Sequence, residues 1–220
     1  MSSLNIQIDQ IGRQFLLDNK ETIVLALPGN EDYKYLVACV SFSPFGDINI
    51  IDFLDDWIEY ASSQSISYMD TIHMNTQQKV TIGNVYTFDN TGFKGSSPAY
   101  SDQVYGLLNE RNIDGNYNLT CGLGQKVTIN SSSDADYYAI NVYAVPYNQT
   151  LYFETNNMVW IFAAGGISSN MIIPSTMPTP NITAQKSVVV GSYLEIDLKQ
   201  TSTIYFDNLT HTFKVGSLPK

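Results

Sequence analysis

Basic residues are scarce in this 220-residue chain: 11 Lys plus Arg stand against 21 Asp plus Glu, and Arg13 and Arg111 are the only arginines. The net charge of −10 and the pI near 4.4 argue against partners held by counterion release at Lys and Arg. Neither nucleic acid nor an anionic membrane surface is expected. Cysteine is equally rare. Cys39 and Cys121 allow one disulfide at most and no C-x-x-C occurs, which excludes a stapled scaffold and a thiolate zinc site. Two histidines, His73 and His211, cannot build a three-histidine metal centre. The longest apolar run, Met158 to Ile167, is interrupted by Gly165-Gly166 and falls well short of the ~18 residues of a membrane span. Met1-Ser2-Ser3-Leu4-Asn5 carries no basic n-region and no apolar h-region, so no secretory signal is expected. The G-x-S-x-G, G-x-x-x-x-G-K-[ST], H-E-x-x-H and G-x-G-x-x-G signatures are all missing, and neither catalysis nor a cofactor is expected.

Present instead is a folded, β-flavoured composition: 44% hydrophobic and 15% charged residues, with 19 Asn, 11 Gln, 15 Tyr and 10 Phe. Aromatic, β-branched and Thr residues fit a pleated, half-buried surface. Thr22 to Leu27, Tyr33 to Phe42, Lys79 to Ile82 and Val85 to Phe88 read as strands, the last two joined through Gly83-Asn84 as a tight hairpin. Beyond them, Lys126–Asn130, Tyr137–Val145, Thr150–Thr155, Met158–Ala163, Lys186–Val190, Tyr193–Leu198, Thr203–Phe206 and Thr212–Val215 are short strands bounded by turn residues. Their spacing predicts an all-β, antiparallel β-sandwich or jelly roll with one or two short helices.

Two helices are predicted. In Ile50 to Ala61, apolar Ile50, Phe53, Leu54, Trp57, Ile58 and Ala61 recur at three- and four-residue steps, leaving Asp52, Asp55, Asp56 and Glu59 on a solvated face. Ser101 caps a shorter helix through Val104, Tyr105, Leu107 and Leu108. Residues 4 to 17 fit either state. Gln78-Lys79-Val80-Thr81-Ile82 recurs as Gln125-Lys126-Val127-Thr128-Ile129, which suggests a duplicated sandwich. Residues 1–115 are taken as an N-terminal β-rich domain and 116–220 as a C-terminal jelly-roll-like sandwich.

Asn112, Asp114 and Asn116 place oxygen ligands at alternate positions as in the first half of a calcium loop, although Cys121 stands where the bidentate Glu belongs, so no metal is expected. Asn118, Asn130, Asn148, Asn181 and Asn208 open glycosylation sequons. Tyrosine supplies rigid contact area with a polar tip, and the surplus marks Tyr137, Tyr138, Tyr147 and Trp160 as contact residues for a partner or a glycan. Either Cys paired with a His could act as a nucleophile, but a small core residue is the ordinary role.

The run of short strands from Lys126 to Val215, the repeated QKVTI, the Asn/Thr/Tyr surface and an exterior-type composition without a signal sequence together resemble the jelly-roll vertex and turret capsid proteins of tailless icosahedral archaeal viruses. That resemblance implies a non-enzymatic virion protein, assembled in the host cytoplasm, that forms rings with itself through sheet edges and Tyr-bearing loops. It implies other capsid proteins, and a host surface glycan, as partners. A β-sandwich adhesin or carbohydrate-binding module is the alternative.

Overall fold

Segments rich in Val, Ile, Phe and Tyr, punctuated by Gly, Asn and Asp, pair into sheets because they bury little as isolated ribbons. A computed structural model describes residues 1–27, 35–113, 118–131, 135–155, 157–174 and 192–219. In chain order the elements are β1 (Ser2–Gln7), α1 (Gln10–Asp18), β2 (Glu21–Leu27), β3 (Tyr35–Phe42), β4 (Ile48–Ser62), β5 (Thr76–Lys79), β6 (Asn84–Asp89), β7 (Gly92–Pro98) and β8 (Tyr105–Asn109). They continue as β9 (Leu119–Ile129), β10 (Asp136–Ala139), β11 (Tyr143–Val145), β12 (Gln149–Phe153), β13 (Met158–Gly165), β14 (Met171–Pro174), β15 (Leu194–Asp197), β16 (Thr203–Asp207) and β17 (Thr212–Val215). The fold is an all-β sandwich of largely antiparallel sheets. An eight-stranded sheet runs β10-β9-β4-β1-β16-β17, with β11 also on β9 and β5 also on β4; a five-stranded sheet runs β14-β3-β2-β13-β15, and a four-stranded sheet runs β12-β8-β6-β7. β1/β16 and β6/β8 are parallel neighbours.

One core joins all three sheets. Leu4, Ile6, Ile23, Leu25, Val40, Phe53, Leu107, Phe153, Ile161 and Phe206 meet there, and each fully buried aliphatic or aromatic side chain contributes about 1.5–3 kcal/mol. The five-stranded sheet also buries its other face, where Val24, Ala26, Ala38, Phe162 and Ala164 are fully enclosed. Strands from both sides of residue 115 contribute to every sheet, so the 115/116 division does not separate one sheet from another.

The segment read as a helix over 50–61 is instead the long strand β4. Its register against β9 jumps from Phe53↔Val127 to Trp57↔Gln125, a bulge that inserts extra residues on β4. Ile51 and Phe53 face the core before the jump, and Trp57 and Ala61 face it afterwards. The inward row keeps its period of two across the bulge, and it is the interleaving of Phe53, Trp57 and Ala61 with apolar Ile50, Leu54 and Ile58 on the other face that mimics three- and four-residue steps. Burial of Ile58 and Tyr60 on the opposite face completes the imitation. The second predicted helix is also a strand, β8, held between β12 and β6; the Ser101 hydroxyl oxygen accepts from the Gln103 amide in a turn.

The expected hairpin at Gly83-Asn84 does not form. β5 pairs with β4, while β6 turns back through Asn90-Thr91 onto β7. Residues 4–17 take both of their possible states: Leu4, Ile6 and Ile8 alternate inward, then Asp9 caps α1 by accepting from Gly12 N at 2.8 Å. The two QKVTI copies flank a single strand. Gln78 sits opposite Glu59 and Gln125 opposite Trp57, with Lys79 3.3 Å and Lys126 3.9 Å from the Asp56 carboxylate. The predicted strand Lys186–Val190 lies outside the described residues. Tyr137–Val145 divides into β10 and β11, with Asn141 between them. The Asn141 carbonyl accepts from Tyr60 Oη at 2.6 Å. Gly122 makes that approach possible, since a Cβ there would lie 2.3 Å from the same oxygen.

Candidate functional site

Helix α1 buries Gly12 and Leu16 and packs Phe15 on Phe206, which turns Ile11 and Leu17 outward. Its position is fixed from two sides. Arg13 Nη2 pairs with Asp47 at 2.8 Å on the segment entering β4, while Asn208 Nδ2 donates to Asp9 at 2.7 Å and Phe15 stacks on His211 at 3.8 Å in the β16–β17 turn. A Cβ on Gly12 would lie 2.8 Å from the Asn208 side chain, so the helix docks close. The segments so joined expose Ile11 at 69%, Phe45 at 73% and Leu209 at 93%, with Ile48 and Leu17 beside them. Large apolar side chains exposed on segments tied to one helix offer an interaction surface.

The partner residues expected from sequence are distributed differently. Tyr147 is exposed. Tyr138 packs against the main core, and Tyr137 donates to Asp56 at 2.8 Å with Lys126 over its ring at 5.8 Å. Trp160 lies on the five-stranded sheet; its ring stacks on the exposed Tyr193 at 4.2 Å and its Nε1 donates to Glu195 at 2.6 Å. The prominent exposed tyrosines include Tyr68, Tyr100 and Tyr193, loop or strand-end positions that alternation does not reveal.

Asn118, Asn130 and Asn148 are exposed at strand ends. Asn130 and Asn148 have positive φ values of 52° and 58°, and Asn130 Oδ1 accepts from Ile50 N at 2.7 Å. Asn208 is a correction: it is half-buried, and the Nδ2 atom a glycan would occupy is bonded to Asp9. Asn181, Asp114 and Asn116 lie outside the described residues. Asn112 exchanges backbone contacts with the Asn90 side chain, donating to it at 2.8 Å and accepting at 2.9 Å. Among the described residues no three His, Cys, Asp or Glu side chains converge as metal ligands.

The four carboxylates of β4 do not share one solvated face. Thr128 Oγ1 donates to Asp52 at 3.2 Å and Trp57 Nε1 to Asp55 at 2.9 Å. Tyr137, then Lys79 and Lys126, hold the Asp56 carboxyl below its ordinary range. Glu59 points inward, fully buried with neither oxygen bonded, and burial raises its pKa well above the ordinary value. Cys39 and Cys121 are free thiols within the same core. Cys39 Sγ donates to Leu25 O at 3.1 Å, and burial pushes its pKa up to about 12; Cys121 is raised further by burial and by Glu59. Thiols held protonated in this way are poor nucleophiles.

The chain matches no protein-family model, no curated protein and no solved structure. No helix among the described residues is long and apolar enough to cross a membrane.

Proposed function

We propose that this chain is a non-enzymatic structural protein of a virion, a capsid vertex or turret building block that assembles with copies of itself through the side-chain surfaces of its sandwich. The observation that carries the reading is the exposure of apolar Ile11, Phe45, Ile48 and Leu209 on α1 and the segments tied to it. Assembly by strand addition is opposed by the edges themselves: β7 carries Lys94 and Pro98, β17 carries Lys214, and β15 carries Glu195 and Asp197. Charge and proline on an edge strand discourage pairing with another chain. Other capsid proteins are further partners in this reading, nucleic acid is not, and the protein resides in the virion after assembly in the host cytoplasm.

Native mass spectrometry of the purified chain tests it. A ring of five or more copies, reduced to smaller species by Phe45→Asp or Leu209→Asp, is the expected result. A monomer that persists at about 100 μM, two decades above a micromolar Kd, overturns it.

A second reading, a carbohydrate-binding module, is favoured by the Trp160–Tyr193 pair beside Glu195. An indole and a phenol ring next to a carboxylate can hold a sugar by its apolar face and a hydroxyl together.

A further inference from the structure

The bulged stretch of β4 lies close to the β4–β5 pairing, where Val80 N donates to Trp57 O at 3.2 Å. There a cavity of about 320 Å³ opens between the eight-stranded sheet, the end of β2, the start of β8 and the turn between β12 and β13. Its size is near the lower end of the range for small-ligand sites. Phe53, Asp55 and Trp57, alternate positions on one face of β4, line the cavity wall together. The indole orientation is set by the 2.9 Å bond from Nε1 to Asp55. Tyr105 lies against the indole, ring centroids 5.9 Å apart.

Aromatic rings thus meet polar groups within one cavity. Gln125, Thr155 and Asn157 add an amide, a hydroxyl and a second amide to the Asp55 carboxylate. Gln125 Nε2 is committed to Leu54 O at 3.0 Å, which fixes the side chain and leaves its Oε1 as an acceptor. Among the described residues no Lys, Arg or His side chain lines the cavity, although Met1 does; the chain as a whole carries −10, and that overall charge disfavours phosphate, sulfate and acidic sugars. A purely apolar ligand would strip water from these polar groups without replacing their hydrogen bonds. The chemistry left is neutral and two-faced: C–H groups to lie on a ring, hydroxyl groups to bond carboxylate and amides.

We propose that this cavity binds one neutral hexose unit, stacked against Trp57 and held by Asp55, Gln125 and Asn157. The ligand class is that of the second reading above, but the residues are different and the site stands without the Trp160–Tyr193 pair. Hexose binding here is also compatible with a self-assembling particle that docks onto a glycosylated surface.

The experiment uses the full chain carrying Trp160→Phe, so that tryptophan emission reports Trp57 alone. Glucose, galactose, mannose and N-acetylglucosamine are titrated singly, and a glycan array extends the panel to hexose-terminated oligosaccharides. A saturable emission change with at least one of these is expected. Asp55→Ala and Asn157→Ala, both at accessible positions that leave the core intact, should weaken binding about 10- to 100-fold at Asp55 and somewhat less at Asn157. Absence of any hexose binding overturns the proposal. So does binding that survives both substitutions. Glycan binding by the native chain that is lost with Trp160→Phe and Tyr193→Ala but unaffected by Asp55→Ala assigns recognition to the Trp160 platform, leaving the second reading intact and this cavity without a ligand.

Discussion

The five-stranded and eight-stranded sheets solve the same packing problem in opposite ways. In the five-stranded sheet, β2 buries Ile23 through Leu27 without a gap and β13 buries Val159, Ile161, Phe162 and Ala164, so both faces lie in apolar surroundings. Near-continuous hydrophobic runs are what such a position demands. In the eight-stranded sheet the outer face is wet along Ser3, Asn5 and Gln7, while β4 crosses from one packing environment to another through its bulge. Uniform burial makes a strand rigid and featureless. An interrupted strand yields the irregularities, Asp55, Trp57 and Glu59, from which a site can be made.

Breaking the uniform sheet has the largest expected effect. Phe162→Ala, at a fully buried position on β13, should cost about 3–5 kcal/mol through lost burial and a residual cavity. Urea unfolding checks this, and a loss below 1 kcal/mol would mean that face collapses readily. In the interrupted sheet the informative change is stabilising. Glu59→Gln removes a carboxyl that the folded state keeps protonated while the unfolded state ionises near the ordinary value of 4.5. The folded form therefore binds the extra proton. Wild-type stability is fullest below that value and falls as pH rises, by up to about 1.4 kcal/mol per pH unit until the folded group ionises. The titratable groups facing it are Tyr105 from β8 and Cys121 from β9, both held protonated by burial. The advantage of Glu59→Gln over wild type should widen between pH 5 and pH 8 in paired unfolding curves. A gap that stays constant across that range contradicts the assignment.

The smallest effect sharpens the contrast from the surface. Asp207, in the β16–β17 turn, is bonded by Lys214 and by Thr210 Oγ1 at 2.8 Å, and these contacts lower its carboxyl to about 2. Its contribution is present above the ordinary carboxylate range and fades as pH falls toward 2. Carboxyl NMR titration should give a midpoint near that value in wild type and a higher one in Lys214→Ala, where the Thr210 hydroxyl and Leu209 amide still bond the carboxylate.

How much of this was legible in the sequence follows the same contrast. Thr22 to Leu27, Met158 to Ala163 and Thr203 to Phe206 announce themselves because nothing interrupts their ladders. Ile50 to Ala61 hides as a helix because both faces of the strand carry apolar side chains, and without β9 alongside, the interleaved rows of Phe53, Trp57 and Ala61 and of Ile50, Leu54 and Ile58 cannot be distinguished from helical spacing. Long-range pairing explains the rest: Lys79 and Val85 are neighbours in sequence, yet β5 and β6 join different sheets. For the same reason the apolar surface around α1 could not be seen in advance. Ile11, Phe45 and Leu209 are far apart in sequence, and their segments are joined through Arg13–Asp47 and Asp9–Asn208. Glu59 was legible as an acid but not as a buried one.

The parallel pairing of β1 with β16 sets the timetable of synthesis. β1 leaves the ribosome long before the strand that must lie beside it, since Asn5 pairs with Thr203, and no local turn can shortcut a contact of such high order. A nascent chain therefore waits with Leu4 and Ile6 on a ribbon whose one side is unzipped, a state open to capture by other nascent copies. Ending the chain ahead of Thr203 would make that waiting permanent, so loss of the β16–β17 hairpin should appear as insoluble product rather than as a smaller folded one.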